Sequence, residues 1–366
     1  MLRRAATGIV LFYIKSLRDD FPRALLRKDL RMERVFTRRD FMRTTALTAC
    51  AAALSTTMKS SSLFAAEVEQ PFTTKLRYAT LVGEIKADEI ENLAKLGYEG
   101  VETTVWDIDP SKAAEGRRIC EANGIKIHSV MRAWTNVNQG AEQAEADVKT
   151  IERALRAAGA YGASTILLVP CRVGGKVPQP WDFKIDFDPD TCMVKTVCEG
   201  DNAPYADYIK AQNEATEASF KYVKQAIPVA AYEGVTIGLE NVWNGLWCTP
   251  EFFAAFVKAF DNVWVKTYFD IGNHVKYAKP EDWLRALKGT ICKLHFKDFL
   301  MNKEKPNGGD FVPIGTGSID WKSVRKVIDE ISYDGFVTLE SGGYSSEQHA
   351  KIFQNFFQGK DILEGV

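Results

Sequence analysis

Short apolar runs rich in β-branched residues alternate with longer amphipathic segments through most of this chain. The longer segments have helical spacing, and Ser111, Thr249 and Asp320 stand where helix caps are expected. The predicted helices cover 86–96, 141–158, 208–232, 250–259, 280–288, 320–331 and 346–357. The predicted strands are 76–82, 100–105, 125–131, 164–170, 235–242, 265–273, 291–299 and 335–341. Strands that alternate with helices predict a parallel sheet.

Eight strand–helix units in succession favour a closed (β/α)₈ TIM barrel. A doubly wound open sheet is the alternative fold. No G-x-G-x-x-G sequence follows the first predicted strand, which argues against a dinucleotide-binding version of that alternative.

The alternation is interrupted once, after the fourth predicted strand. Residues 171–206 contain paired glycines and four prolines without helical or strand periodicity. A long irregular segment in a compact domain is often functional, so we expect a lid or substrate-binding insertion, with a plain surface loop as the alternative. Cys171, Cys192 and Cys198 lie in this segment and leave a disulfide open, whereas Cys120 and Cys292 are expected to be buried thiols.

The distribution of charge separates the N-terminal region from the rest of the chain. Residues 1–66 are strongly basic and residues 67–366 are net acidic, although the whole chain has a formal net charge of −1. The acidic part argues against nonspecific nucleic-acid binding, because binding to phosphates needs basic patches. No apolar run is long enough for an integral membrane helix.

The basic region resembles a bacterial twin-arginine export signal. Arg38 and Arg39 precede a stretch of small and apolar residues, and Met32 offers an alternative start shortly before them. We therefore assign 1–66 to an N-terminal extension with its signal peptide and 67–366 to the barrel. The assignment implies the twin-arginine export machinery as a partner and a periplasmic or otherwise exported protein. A lipoprotein anchor at Cys50 is the alternative to cleavage near residue 66.

Four consecutive predicted strands end in side chains that can bind a metal ion or move a proton: Glu240, Asp270, His295 and Glu340. In a barrel these strand ends meet at the C-terminal mouth. Carboxylates brought together there repel one another unless a cation offsets the cost. Three carboxylates and one imidazole predict a site for a divalent metal, with Mn²⁺ the first expectation and Mg²⁺, Co²⁺ or Zn²⁺ as alternatives.

Further candidates follow other strand ends or lie beside the four ligands. Glu102, His128 and Lys297 are polar candidates for contacts with a bound molecule, and each has a purely structural role as its alternative. Trp106, Trp134, Trp243 and Trp247 also follow strands, and aromatic rings suit the C–H faces of sugars. We expect two of these four to touch ligand.

Several motifs resemble those of the sugar phosphate isomerase/epimerase family, the xylose isomerase-like TIM barrels. The motifs are Gly238-Leu-Glu240-Asn241, Phe269-Asp270-Ile-Gly-Asn273, Leu294-His295-Phe-Lys297-Asp298, Leu339-Glu340 and Ile314-Gly315-Thr-Gly317-Ser-Ile-Asp320-Trp321. The resemblance implies one metal held by Glu240, Asp270, His295 and Glu340, with Glu240 and Glu340 exchanging protons on opposite faces of a ketose. This chain departs from the family pattern at Asn273, where epimerases of the group often have histidine, and His274 follows it. Asn273 and His274 are therefore substrate-binding candidates.

These features favour a metal-dependent isomerase or epimerase acting on a small-molecule carbohydrate, a free sugar or keto-sugar. Proton abstraction next to a carbonyl would give a metal-stabilised enediolate. A lyase or dehydratase acting on 3-keto-glycosides or ketocyclitols and a non-catalytic carbohydrate-binding barrel are alternatives. A DNA endonuclease of this barrel type needs a histidine-rich metal cluster, and this chain has four histidines. The sequence leaves a homo-oligomer open.

Overall fold

A computed structural model describes residues 71–366 of the chain, and these residues form a closed barrel of eight parallel strands. The predictions for residues 1–66, including the export signal and Cys50, lie outside the described range. The barrel strands are β1 (Leu76–Val82), β2 (Gly100–Thr103), β3 (Lys126–Trp134), β4 (Thr165–Val169), β7 (Thr236–Leu239), β8 (Val265–Asp270), β9 (Ile291–Phe296) and β12 (Gly335–Leu339). All eight correspond to predicted strands. The (β/α)₈ prediction is confirmed, and the open-sheet alternative is wrong because β1 pairs with both β2 and β12.

Eight helices cover the outside of the barrel within the described range. They are α1 (Ala87–Lys95), α2 (Pro110–Ala122), α3 (Ala141–Tyr161), α4 (Ala206–Glu233), α5 (Pro250–Lys258), α6 (Pro280–Ala286), α7 (Trp321–Glu330) and α8 (Ser346–Phe357). Thr249 and Asp320 cap α5 and α7 as predicted. The prediction for Ser111 is wrong, because Asp109 caps α2 by accepting a hydrogen bond from the Ser111 backbone N–H. Asp accepts more strongly at this position because it is charged.

Successive side chains of each barrel strand point alternately to the surrounding helices and to the barrel interior. On β12, the Thr338 hydroxyl forms a hydrogen bond with Nε2 of His128 on β3, with 3.0 Å between the two atoms. These two strands are not neighbours, so the bond crosses the barrel interior. Phe336, two residues earlier on β12, stacks on the same imidazole at 4.4 Å. The same alternation carries the next residue of this series, Glu340, to the C-terminal mouth.

The insertion at 171–206 is ordered around a small antiparallel pair, β5 (Asp186–Phe187) and β6 (Val194–Thr196). The ring centroid of Phe183 lies 5.7 Å from that of Tyr277, in the segment after β8. Lys303 Nζ lies 5.4 Å from the ring centroid of Trp181. The insertion therefore rests against the loops that follow β8 and β9, at the C-terminal side of the barrel. Its function as a lid stays a prediction. The six cysteines of the described range are free thiols.

A second antiparallel pair, which the sequence pattern did not predict, follows β9. Strands β10 (Asp298–Met301) and β11 (Gly309–Val312) form a hairpin that begins two residues after β9 ends. At Gly309, which has φ of 147°, a Cβ atom would collide with the Leu300 carbonyl oxygen, so a residue with a side chain cannot be accommodated. This hairpin brings Phe311 to the mouth.

Among residues 71–366, no helix combines the length and apolar character required to cross a membrane.

Candidate metal centre and active site

The four predicted ligands come from four adjacent barrel strands. Glu240 follows β7, Asp270 ends β8, His295 lies on β9 and Glu340 follows β12, and these strands are neighbours in the order β7, β8, β9, β12. Glu240, Asp270 and His295 each offer a ligand atom, and these atoms lie within 4.8 Å of one another. Glu340 approaches from the next strand, with Oε2 2.8 Å from His295 Nδ1. The barrel therefore brings together residues that are 100 positions apart in sequence.

Two buried atoms of this cluster have no hydrogen-bond partner: Asp270 Oδ2 and His295 Nδ1. They lie 3.9 Å apart. The close approach of Glu340 to His295 Nδ1 is not in hydrogen-bond geometry, which leaves that nitrogen unsatisfied. Buried polar atoms are normally satisfied, so a nitrogen and an oxygen left unpaired beside further carboxylates fit a divalent cation. The donor set is mostly oxygen with one imidazole, which suits Mn²⁺, Mg²⁺, Co²⁺ and Zn²⁺ alike.

Glu102 fixes the orientation of His295. Its carboxylate Oε2 lies 2.7 Å from His295 Nε2 and also accepts a 2.7 Å hydrogen bond from the Tyr268 hydroxyl. Ser129 Oγ donates to the other oxygen at 3.0 Å. Glu102 already accepts from Tyr268 and Ser129, and with the Nε2 proton of His295 assigned to the same carboxylate, Nδ1 keeps the lone pair that a cation beside Asp270 and Glu340 would need. Glu102 is fully buried beneath the mouth, so the structure gives it a protein partner rather than the predicted substrate contact.

Lys297 lies among the acids of the site. Its Nζ is 2.7 Å from Glu340 Oε1 and 3.4 Å from Asp270 Oδ2. Position 297 follows His295 by two residues, so both side chains leave the strand on the same face, as the sequence predicts. The lysine ammonium partly balances the carboxylates and fixes one oxygen of Glu340.

The segment after β8 orients both Asp270 and Glu240. The backbone N–H groups of Gly272 and Asn273 donate to Asp270 Oδ1 at 2.8 and 2.9 Å, so Oδ2 faces the cluster. The Asn273 amide donates to Glu240 Oε1 at 2.9 Å. His274 points elsewhere, against Trp283 and Phe269, and is a core residue here.

The pKa values of the three acids are shifted in different directions by burial and by the charges around them. Burial, with Asp270 and Glu340 nearby, raises the pKa of Glu240 to about 8 against the opposing effect of His295. Burial also raises the pKa of Asp270. For Glu340, burial is outweighed by His295 and Lys297, and its pKa is lowered. The pKa of His295 is raised, because Glu102 and Glu340 outweigh burial. A divalent cation would compete with these protons, so metal binding should release protons.

Some of the remaining candidates for ligand contact lie near the mouth, and others are buried in the interior. His128 is fully buried and bonded to Thr338, below the ligands, which does not support a direct contact with substrate. Trp106 and Trp134 are half-buried beside Arg132 and Arg172, whose guanidinium carbons lie 4.3 Å from the respective ring centroids. Trp247 is fully buried and stacked on Phe256.

Trp243 and Phe311 form an aromatic edge of the mouth. Trp243 stacks on Phe311 with centroids 5.0 Å apart, and its ring nitrogen donates to the Asn273 carbonyl oxygen at 2.7 Å. The sequence identified Trp243 but missed Phe311, because the hairpin that carries it has no periodic signal of its own.

Asp298 explains the glycine-containing turn of the sequence motif. Its Oδ2 accepts hydrogen bonds from the backbone N–H of Gly315 and Gly317 and from the indole nitrogen of Trp321. A Cβ at Gly317 would collide with this carboxylate, so the turn requires glycine there. The turn is structural, and it fixes the start of α7 to the root of the hairpin.

Residues 90–357 match the family described as Xylose isomerase-like TIM barrel, and the chain belongs to that family. It is 26% identical over 150 residues to L-ribulose-5-phosphate 3-epimerase UlaE from Escherichia coli O1:K1, a match covering 40% of this chain and 51% of that protein. The chain spans about half the length of the curated relatives it matches.

Solved structures share the fold at lower identity. A D-tagatose 3-epimerase-like protein has a TM-score of 0.57 at 19% identity, covering 79% of this chain and 98% of its own. The IOLI protein, crystallised with a zinc atom, has a TM-score of 0.57 at 16% identity over 79% and 98%. The 3-keto-D-glucoside 4-epimerase YcjR from E. coli has a TM-score of 0.55 at 14% identity over 77% and 99%. The family thus contains sugar epimerases.

Proposed function

We propose that this protein is a metal-dependent isomerase or epimerase of a free sugar or keto-sugar, with Glu240 and Glu340 as the proton-transferring residues. The observation that carries the proposal is the placement of these two glutamates at the ends of an arc of four strands, with Asp270 and His295 between them. A substrate lying over Asp270 and His295 would therefore meet one carboxylate on each side. The kinship with sugar epimerases supports the same conclusion.

Glu240, Asp270, His295 and Glu340 would hold the divalent cation, Mn²⁺ being our first choice among the four metals. When bound, the cation supplies positive charge next to the substrate carbonyl and so favours the enediolate. One glutamate takes the proton from the carbon next to the carbonyl, and the other returns a proton to the opposite face. Return to the same carbon inverts that centre, whereas transfer between the two carbons interconverts aldose and ketose.

The chain's other residues hold these glutamates in their working positions. Asn273 binds one oxygen of Glu240, and Lys297 binds one oxygen of Glu340, whose second oxygen lies 2.8 Å from His295 Nδ1. Glu340 is the more exposed of the pair, which suits contact with an entering molecule. Lys297, next to Glu340, is also placed to bind a substrate oxygen.

Solvent hydrogen exchange tests the proposal directly. Metal-reconstituted protein is incubated in heavy water with a panel of ketoses and 3-keto-glycosides, and deuterium next to the carbonyl is measured by NMR. We expect exchange, and we expect Glu340→Gln to lower its rate by at least about 10²-fold, the usual contribution of a general acid or base. Glu330→Gln is the matched control, because that exposed glutamate pairs with Arg285 far from the site. A metal-loaded protein that exchanges no hydrogen across the panel would contradict the proposal.

The same experiment separates the alternatives. A lyase or dehydratase acting on 3-keto-glycosides or ketocyclitols would exchange hydrogen and also release a product that lacks the leaving group. A carbohydrate-binding barrel would bind sugars without any exchange, and Glu340→Gln would leave that binding unchanged. An endonuclease of this barrel type needs a histidine-rich metal cluster. It is disfavoured, because His128, His274 and His349 contact Thr338, Trp283 and Tyr344, respectively, and do not form such a cluster.

We also infer that residues 32–66 direct export through the twin-arginine machinery to the periplasm. Arg38 and Arg39, followed by small and apolar residues, support this proposal. A reporter fused to residues 32–66 should be exported, and replacing both arginines by lysine should block export. In a second fusion that begins at Met1, replacing Arg3 and Arg4 by lysine is the control and should have no effect. Export that survives the replacement of Arg38 and Arg39 would contradict the inference.

A further inference from the structure

We infer that Lys276 is a positioning residue for Glu240 and acts on it through Trp243 and Asn273. The inference rests on the proposed function and deepens it, because it concerns what orients one of the two glutamates proposed to transfer protons. It depends on three contacts in series. They join the segment after β7, which carries Glu240 and Trp243, to the segment after β8, which carries Asn273 and Lys276.

Trp243 contacts the segment after β8 at two points. Its indole N–H donates to the Asn273 carbonyl oxygen at 2.7 Å, and the Lys276 ammonium lies over its ring, 3.4 Å from the centroid. The Tyr277 N–H donates to the His274 carbonyl oxygen at 2.9 Å and folds this segment into a turn. A single turn of backbone therefore holds both the edge and one face of the indole.

Phe311 lies on the other face of the Trp243 ring. The two rings stack with centroids 5.0 Å apart, a separation that leaves no room between them for an ammonium group 3.4 Å from the Trp243 centroid. Lys276 and Phe311 therefore hold the indole from opposite faces, one by a cation–π contact and the other by stacking. Tryptophan is the best ring for a cation–π contact, which is strongest when the cation is shielded from water.

Lys276 is buried without a counter-ion. It is 7% exposed, and among residues 71–366 its ammonium has no carboxylate partner. Gly308 at the hairpin tip covers its aliphatic stem, because a Cβ atom there would lie 3.4 Å from Lys276 Cβ and 3.6 Å from Trp181 of the insertion. Burial lowers the pKa of Lys276 to about 8, so the ammonium form predominates at neutral pH. Burying a charge is costly, and the Trp243 ring is the nearest group that offsets this cost.

Asn273 connects the position of Trp243 to that of Glu240. Its carbonyl oxygen accepts from the indole, and its side-chain amide donates to Glu240 Oε1 at 2.9 Å. Glu240 precedes Trp243 by only three residues, so the backbone and these two hydrogen bonds form a closed loop of contacts. A displacement of about 1 Å in a reacting group can lower a rate about 10²-fold, so a fixed indole keeps Glu240 in its working position.

Hydrogen exchange measured by NMR tests these contacts without turnover. The protein is loaded with Zn²⁺, which is diamagnetic, and is isotopically labelled at tryptophan and asparagine nitrogen. Lys276→Met keeps the length of the side chain but removes its charge. We expect it to speed exchange of the Trp243 indole N–H and of the Asn273 side-chain amide about three- to tenfold, the range of a cation–π contact. Lys276→Arg keeps a cation over the indole and should exchange like the wild type. Lys279→Met, the same change at an exposed lysine of the same segment, is the control.

Deuterium exchange from heavy water into a ketose then connects these contacts to Glu240. Lys276→Met should lower the rate at saturating substrate about three- to tenfold and change KM less than about twofold, because it disturbs a proton-transferring group and not a binding contact. Trp243→Phe removes the indole donor and should lower the same rate. The double variant should be no slower than the slower single variant, because both changes interrupt one series of contacts.

The outcomes separate this inference from the proposed function. Unchanged hydrogen exchange at the Asn273 amide in Lys276→Met would overturn the inference, as would losses of rate that multiply in the double variant. Wild-type turnover despite a released Asn273 amide would overturn it as well. If the wild type exchanges no deuterium with any ketose, the proposed function fails, and the NMR measurement alone decides whether Lys276 positions Glu240. Thermal melting checks that each variant is folded, and Lys276→Gln is the neutral substitute if Lys276→Met is not.

Discussion

Replacing Glu102 by glutamine should weaken the proposed metal binding, although Glu102 is not one of the four proposed ligands. The buried carboxylate receives three hydrogen bonds, from His295, Tyr268 and Ser129. A carboxylate behind a ligating histidine raises the basicity of the ligand and fixes its orientation, and losing it typically costs 10- to 100-fold in metal affinity. The structure determines where in this range the glutamine variant should fall.

Two of the three donors, Tyr268 and His295, converge on the same oxygen, Oε2. A glutamine whose carbonyl takes that place keeps both hydrogen bonds, and its amide group can donate to the Ser129 hydroxyl oxygen. Only the negative charge is then lost, so we expect about tenfold weaker metal binding for Glu102→Gln, the low end of the range. Glu102→Ala leaves three buried donors unpaired, at roughly 1–3 kcal/mol each, and should lower the free energy of unfolding severely.

The assay is competition with a chromophoric chelator for Mn²⁺ and for Zn²⁺, with the free energy of unfolding measured in parallel by urea denaturation. Asp329→Asn is the matched control. Asp329 is also a carboxylate with several donors, but these are Thr73 and Thr74 at the start of the described chain. Its replacement should lower stability without changing metal affinity. Unchanged metal affinity in Glu102→Gln would refute the assignment of Glu102 as the residue that positions His295.

Three further predictions follow from other parts of the structure. Chelation should lower the melting temperature and re-addition of Mn²⁺ should restore it, because a ligand at 100 times its Kd stabilises the folded state by about 2.7 kcal/mol. Gly272→Ala should destabilise the protein, by about 1–3 kcal/mol in urea unfolding, because its Cβ would lie 2.6 Å from the Lys297 carbonyl oxygen. The pKa of Asp329 is lowered because hydrogen bonds from Thr74 and Thr73 outweigh burial. The stability lost in Asp329→Asn should therefore be largest at neutral pH and should shrink as the pH falls below about 3.9, where the wild-type carboxylate also becomes protonated. A difference that persists unchanged at low pH would contradict that assignment.

The sequence predicted the barrel and the convergence of the four candidate ligands from the same apolar strand pattern. Parallel strands buried on both faces are apolar throughout, so a charged residue at their end is conspicuous, and the barrel makes all such ends meet. Asp270 and His295 were identifiable in this way without knowledge of their contacts. The segment 291–299 was predicted as one strand, but β9 ends at Phe296 and β10 begins at Asp298.

The depth of a residue within the barrel was not predictable from the sequence. Glu102 and Glu340 both stand at strand ends, but strand stagger places Glu102 in the layer below the mouth, where it contacts His295. Stagger depends on pairing register, and β2 and β3 shift register between Val101 and Glu102. Phe311 was missed for a related reason, since its contact with Trp243 arises from a hairpin that only tertiary packing stabilises.

The base and the tip of the hairpin β10–β11 are held by different contacts. Its base is held by Asp298, which the turn at Gly315 and Gly317 clamps to the fold, whereas its tip at residues 302–308 is joined mainly to itself and to the insertion. Changes in the length or composition of the tip should therefore leave His295 on β9 in place. Laboratory selection for altered substrates of this protein should accordingly begin at the hairpin tip.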